Sequence, residues 1–150
     1  MPKTQLRIAT DHDLNFVRRC ANAAYSIYVE RIGRKPAPMV ADFKSALDAG
    51  NLQIIIVNAE PIGFVVSFAR GNNLFVENVA LHPVHQGKGH ASKLFAHLES
   101  TARQNSLVAI ELYTNEKMTE NLPFYARLGF EITDRRHEDG FDRIYFTKRL

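Results

Sequence analysis

The chain has 150 residues, the length of one domain, since domains commonly run to roughly 100–150 residues. Hydrophobic residues make up 45% and charged residues 23%, a globular balance that excludes a disordered or fibrous chain. Nineteen basic against sixteen acidic side chains leave a net charge of +3, too weak a lean to imply a nucleic-acid partner.

The N-terminal stretch Met-Pro-Lys-Thr-Gln-Leu-Arg lacks the apolar core of a secretory leader. Gln5 to Ala9 reads as a short strand. Thr10 stands three residues before Asp13, the spacing of a capping box, and opens a helix. Leu14, Val17, Ala21, Ala24 and Tyr28 then recur at three- and four-residue steps and predict one apolar stripe to about residue 30. Cys20 lies on this helix as a buried, inert thiol; a single cysteine excludes both an internal disulfide framework and a multi-cysteine zinc site. One glycine and two prolines between Gly33 and Pro38 stop the helix. A second helix is predicted over Val40 to Ala49, with Gly50 as its left-handed stop.

After Gly50 the period becomes extended. Leu52 to Val57, Ile62 to Ala69 and Leu74 to Leu81 are rich in Ile, Val and Phe and are separated by turn-type sequences, which predicts an antiparallel meander. The longest apolar run, Ile54 to Val57, is far short of the ~20 residues of a membrane span. A helix follows from Gly89 to about Asn105, then a strand over Val108 to Tyr113 and a helix over Thr119 to Leu128 ended by Gly129. Pro123 disfavours a regular first turn there and moves the start of that helix to Asn121, a good N-cap. Phe130 to Thr133 and Phe141 to Lys148 are strands around the hairpin Glu138-Asp139-Gly140, with Asp134 to Asp139 a solvated tip of mixed sign. The order β-α-α-β-β-β-α-β-α-β-β is that of an α/β (α+β) fold, a mixed sheet with helices on its faces.

The most informative segment is Leu81-His82-Pro83-Val84-His85-Gln86-Gly87-Lys88-Gly89-His90-Ala91-Ser92, a strand, a glycine turn and a helix start. Glycines let the backbone take positive φ and approach a ligand closely. The first-turn N–H groups of the helix lack intrahelical partners and carry the positive end of its dipole, which suits a phosphate group, and Lys88 adds a cation. A Walker loop does not fit, because Gly89 rather than Ser or Thr follows Lys88 and residue 82 is histidine. A dinucleotide fingerprint does not fit either, because residue 92 is serine and three strands and two helices come first.

Gln86-Gly87-Lys88-Gly89-His90-Ala91 does match Gln/Arg-x-x-Gly-x-Gly/Ala. It is followed about forty residues later by Phe124-Tyr125-Ala126-Arg127-Leu128-Gly129-Phe130. Together with the element order, these motifs resemble the GNAT superfamily of acyl-CoA-dependent N-acetyltransferases over nearly the whole chain. The resemblance implies a single N-acetyltransferase domain over residues 1–150. Its sheet would have about seven strands, mostly antiparallel, flanked by about four helices and splayed between strands 4 and 5. Acetyl-CoA is then the expected co-substrate, its diphosphate on residues 86–92 (Gln86, Gly87, Lys88, Gly89, His90, Ala91 and Ser92). Its pantetheine arm would run along backbone groups at Val79 and Leu81, with the Leu81 N–H meeting the acetyl carbonyl.

Acetyl transfer requires a donor for the developing oxyanion, a neutral amine and a proton for the departing thiolate. Tyr125 matches the family's general acid and is otherwise a core aromatic. A phenol near pKa ~10 protonates a thiolate near ~8.5 uphill by about 2 kcal/mol. Relatives carry Asn-x-x-Ala-x-x-Phe-Tyr; here Met118 and Asn121 occupy those two positions, so Asn115 and Asn121 both stay open as contacts to the arm. Asn121 is alternatively a helix cap.

Glu77 interrupts an apolar strand, as a cleft-facing carboxylate would, and relatives place a water-mediated base on this strand. Deprotonating an alkylamine of pKa ~10.4 at pH 7 costs about 4.6 kcal/mol, which such a base would offset. The alternatives are a surface carboxylate at Glu77, or His82 or His85 as the base. Tyr28, Arg31 and Met39 fall where relatives form the acceptor side, and Arg31, Arg34 and Lys35 there are either steering charges or a solvated loop. No His, Asp or Glu grouping has a metal-ligand spacing, so no metal is expected. The implied protein is cytoplasmic and acetylates a primary amine, a small molecule first and a protein amine second. It has no membrane or nucleic-acid partner, and a homodimer stays open. The competing reading is a catalytically silent acyl-CoA-binding sensor or partner domain.

Overall fold

The computed structural model describes residues 3–150; the first two residues of the stretch read above for a leader lie outside it. Seven strands form one sheet in the order β1-β2-β3-β4-β5-β7-β6. β1 (Thr4–Ile8) pairs with β2 (Leu52–Val57), and β2, β3 (Glu60–Arg70) and β4 (Asn73–Leu81) make the antiparallel meander. β5 (Ala109–Asn115) lies parallel to β4, and the hairpin of β6 (Glu131–Glu138) and β7 (Phe141–Arg149) closes the far side.

Alternation along the strands sends side chains to two cores. Ile54, Ile56, Phe64 and Val66 meet Val17, Cys20, Ala21 and Ala24 of α1 (Leu14–Tyr25). Ile55, Val57 and Val65, with Val76, Ile110 and Leu112, meet Leu94, Phe95, Leu98 and Ala102 of α4 (His90–Gln104) on the other face. Tyr125 of α5 (Asn121–Arg127) joins this second core.

The elements follow the predicted order, with three differences. The first helix stops at Tyr25, passes through a 3₁₀ turn at Ser26–Tyr28 and resumes as α2 (Val29–Ile32). The second predicted helix shortens to α3 (Phe43–Asp48), because Asp42 caps it by accepting the Ser45 N–H at 3.0 Å while Ala37–Val40 form a separate 3₁₀ turn. The third concerns β6, which is twice the predicted length. Asp134 to Glu138 are strand rather than hairpin tip, and only Asp139 and Gly140 turn. This edge strand is exposed and polar, so it carries no alternating apolar signal; it is stitched by Arg136–Asp134 at 2.7 Å and the cross-strand pair His137–Asp142 at 2.8 Å.

Two irregularities position the site. β4 and β5 pair only over Asn73–Val76 and Ala109–Leu112, after which the strands part. On its other edge β4 pairs Asn78 with Val66 and Val76 with Ser67, so Glu77 is the extra residue of a β-bulge. The sheet therefore splits one residue beyond its last parallel rung, at the bulge.

Candidate active site

The split opens a cleft of about 510 Å³. Its walls are the free stretch of β4 from Glu77 to Leu81, the end of β5 at Tyr113 to Asn115, and Tyr125 with its neighbours on α5. The glycine turn and the start of α4 close one end. At the other end stand Tyr28, Pro36, Pro38, Phe141 and Arg143.

The backbone of β4 is aimed by its pairing with β3. His82 donates to Ile62 O at 2.8 Å, so residues 82, 80 and 78 face β3 and, by alternation, Leu81 and Val79 face the open edge. Two side chains already use carbonyls there. The Tyr25 hydroxyl donates to Val79 O at 2.7 Å, and Gln86 Nε2 donates to Leu81 O at 3.0 Å. The matching Val79 and Leu81 N–H groups are left to face the cleft.

At the turn, Gly87 and Gly89 have φ of 76° and 83°, values that L side chains rarely adopt, and a Cβ at either would meet nothing within 4 Å. Backbone conformation, not crowding, sets the requirement for glycine. Lys93 is the first residue of α4 to bond back, to Gly89 O at 3.3 Å, so the N–H groups of His90, Ala91 and Ser92 are unpaired within the helix. Burial lowers the His90 pKa, aided by Lys93, His85 and Lys88. Lys88, placed on the turn by the sequence, does not line the cleft itself.

Tyr125 is 7% exposed and packs edge-on to Phe95 and Phe130, with ring centroids 5.8 and 5.7 Å away. Its hydroxyl makes no hydrogen bond among the described residues. Burial, and secondarily Tyr28, pushes the phenol well above its ordinary pKa. Glu77 lines the cleft and is exposed, with no ion pair or hydrogen bond among the described residues.

Asn115 and Asn121 both line the cleft. Asn115 Oδ1 accepts the Lys117 N–H at 2.9 Å, which leaves its amide nitrogen unused. Asn121 Nδ2 donates to Thr114 Oγ1 at 3.0 Å, which leaves its oxygen. Asn121 does not cap α5: it is the first helical residue, and Glu120 holds the cap position.

On the acceptor side the expected residues divide. Tyr28 lines the cleft and donates to Glu120 Oε2 at 3.2 Å. Arg31 and Met39 do not line it. Arg31 instead donates to Glu120 Oε1 at 2.5 Å and to Lys117 O at 3.1 Å, which ties α2 to the β5–α5 connection. That guanidinium holds the Glu120 carboxyl at a pKa of about 2. A steering charge for an acidic substrate is thus spent on an internal bond.

Sequence reading missed Tyr25, Asn78 and Arg143. Asn78 is 4% exposed and satisfied at both ends, accepting from Tyr25 at 2.9 Å and donating to Pro38 O at 3.0 Å. A second polar residue beside Glu77 in an apolar strand was its one visible signal. Nor did the sequence reveal the ring ladder on the far sheet face, Phe68–Phe75–Tyr113–Tyr145, on which Arg70, Arg143 and Arg136 stack at 3.8, 4.5 and 4.2 Å. Each of these arginines also has an acidic partner, so the face carries little net charge.

A sheet split at this rung, with free amides along one edge and a helix N-terminus at its end, is the frame of an acyltransferase. The chain belongs to the acetyltransferase (GNAT) family, whose model matches residues 17–130. Solved structures share the fold. A PaiA N-acetyltransferase from Thermoplasma acidophilum in complex with coenzyme A superposes with a TM-score of 0.77 at 14% identity, covering 99% of both chains. The ribosomal-protein-S18-alanine N-acetyltransferase from Escherichia coli gives 0.75 at 16% identity, covering 99% of this chain and 94% of its own. An IAA acetyltransferase from Bacillus cereus gives 0.69 at 17%, covering 99% and 100%. No curated protein sequence matches the chain. Among the described residues no helix is long and apolar enough to cross a membrane.

Proposed function

We propose that residues 1–150 act as one cytoplasmic N-acetyltransferase domain, which moves an acetyl group from acetyl-CoA to a primary amine by direct attack. The observation that carries this reading is the split between β4 and β5, with unpaired amides of α4 at one end and the Tyr125 phenol on its wall.

The diphosphate is held by the N–H groups of His90, Ala91 and Ser92, with the helix dipole behind them and Lys88 as a cation at the rim. The arm takes the place of the missing parallel strand, bonded by Val79 and by Asn115 or Asn121. The Leu81 N–H meets the carbonyl oxygen and stabilises the charge that develops there.

The neutral amine attacks the thioester carbon; the C–N bond forms, the C–S bond breaks, and the sulfur takes the proton of Tyr125. Glu77, through water, takes the proton the amine loses, so the products are an amide and the free thiol of coenzyme A; solvent then takes the proton from Glu77 and returns one to the Tyr125 phenolate. Burial penalises thiolate as well as phenolate, so the difference that opposes the transfer is smaller than the phenol's own shift. The unpartnered Glu77 and the free Tyr125 hydroxyl favour an enzyme over a silent sensor. Calorimetry with coenzyme A and thiol release from acetyl-CoA over a panel of amines test this reading. Heat on binding together with acceptor-dependent thiol is the expected result, and no heat would overturn it.

A further inference from the structure

We infer that the acceptor is an amine that also carries a carboxylate, of the α-amino-acid kind, with its ammonium end at Glu77 and its carboxylate on the guanidinium of Arg143. This rests on the transferase reading above and names the substrate class of the same cleft.

Arg143 reaches the cleft from β7 with only 9% of its side chain exposed. Its guanidinium stacks over the Tyr113 ring at 4.5 Å. Two carboxylates offset the burial of this charge, Asp139 Oδ2 at 3.4 Å and Glu138 Oε1 at 3.6 Å, and both approach the same nitrogen, Nη1. Glu138 is also engaged elsewhere, since it accepts from the Tyr145 hydroxyl and pairs with Arg136. Among the described residues Nη2 and Nε of Arg143 make no hydrogen bond. A largely buried guanidinium with two idle donors on the wall of a cavity is an unfilled fork, and a carboxylate fills it bidentately.

Glu77 lines the same cavity as Arg143 and Tyr113. Val76 and Leu112 form the last parallel rung, Glu77 and Tyr113 are the next residues on the two strands where these part, and Arg143 pairs with Asn115 two residues beyond Tyr113. No ion pair joins Glu77 to Arg143. The cavity therefore offers one unpaired anion, Glu77, and a guanidinium with unused donors, Arg143, with Tyr113, Pro36, Pro38 and Phe141 also on its wall. A zwitterion meets both. A simple alkylamine or a polyamine leaves the fork empty, and the N-terminus of a protein offers a peptide carbonyl where the carboxylate is needed.

The test compares an α-amino acid, its carboxamide and its decarboxylated amine as acceptors, for wild type, Arg143→Gln and Arg143→Lys. Wild type is expected to favour the acid over the carboxamide by about tenfold in kcat/KM, the worth of one charge-assisted bidentate contact. In Arg143→Gln the acid-to-amide ratio falls to about one, and Arg143→Lys, a point charge without the fork, lies between. Both acceptors are assayed on one preparation, so partial unfolding of a variant leaves the ratio unaffected. A wild-type ratio near one, or a ratio unchanged in Arg143→Gln, overturns the inference while coenzyme A binding and amine turnover stand. Failure of coenzyme A to bind overturns the transferase reading and this inference together.

Discussion

Gly63 on β3 faces Leu81 on β4 so closely that a Cβ at residue 63 would lie 2.3 Å from the Ala80 carbonyl oxygen and 2.9 Å from Leu81 Cδ2. Backbone cannot step aside as a flexible side chain can. Gly63→Ala is expected to cost about 2–3 kcal/mol, a fall of roughly 5–10 °C in Tm. Because the displaced segment is the edge that faces the cleft, coenzyme A binding weakens as well. Thermal melting and calorimetry on the same variant check both; an unshifted Tm would show that β4 yields without cost.

Tyr125→Phe removes the proposed proton donor and leaves the ring that packs on Phe95 and Phe130. A drop of about 100-fold in kcat is expected, with coenzyme A affinity within about twofold. The wild-type phenol is held above its ordinary range, so it keeps its proton past pH ~10 and imposes no alkaline fall in rate below that pH. A variant of full activity would remove Tyr125 from the acid role.

Glu77 tests the base separately. In Glu77→Gln the acidic limb of the kcat/KM profile is expected to vanish or move, with kcat/KM at neutral pH down about tenfold or more. Superimposable limbs in the two proteins would assign proton removal to another group or to water.

Asp13 predicts the acid stability of the N-terminal corner. Its carboxylate accepts both nitrogens of Arg7, at 2.7 and 2.9 Å, and the Thr10 N–H at 2.8 Å, and the Arg7 hydrogen bonds above all hold its pKa at about 2. A depressed carboxyl contributes stability above its unfolded pKa and loses it as pH falls through the folded one. Wild type should thus lose about 1–2 kcal/mol between pH ~4 and ~2, after allowance for a half-exposed Arg7. Denaturant titration of Asp13→Asn should show that loss already at pH 7, with the gap to wild type closing as pH falls through the window.

What could be read from the sequence was what neighbouring residues determine. The meander, the glycine turn and the motif from Phe124 to Phe130 are local patterns, and they pointed to the fold and the family. The bulge at Glu77 was not legible, because a bulge exists only in the register of β4 against β3. Tyr25, Asn78 and Arg143 converge on the cleft from α1, β4 and β7, and no spacing within one segment announces such a meeting. The charge at Arg31 was visible but its engagement was not, since Glu120 lies 89 residues away.

Four rungs, from Asn73–Ala109 to Val76–Leu112, are all that hold the meander to the C-terminal strands within the sheet. Such a narrow seam makes the molecule two leaves on a common spine. Amide protons at Val79 and Leu81 and on the β4-facing side of β5 should exchange early in the free protein and slow once a ligand bridges the leaves, so that binding and mechanical closure of the sheet become one event.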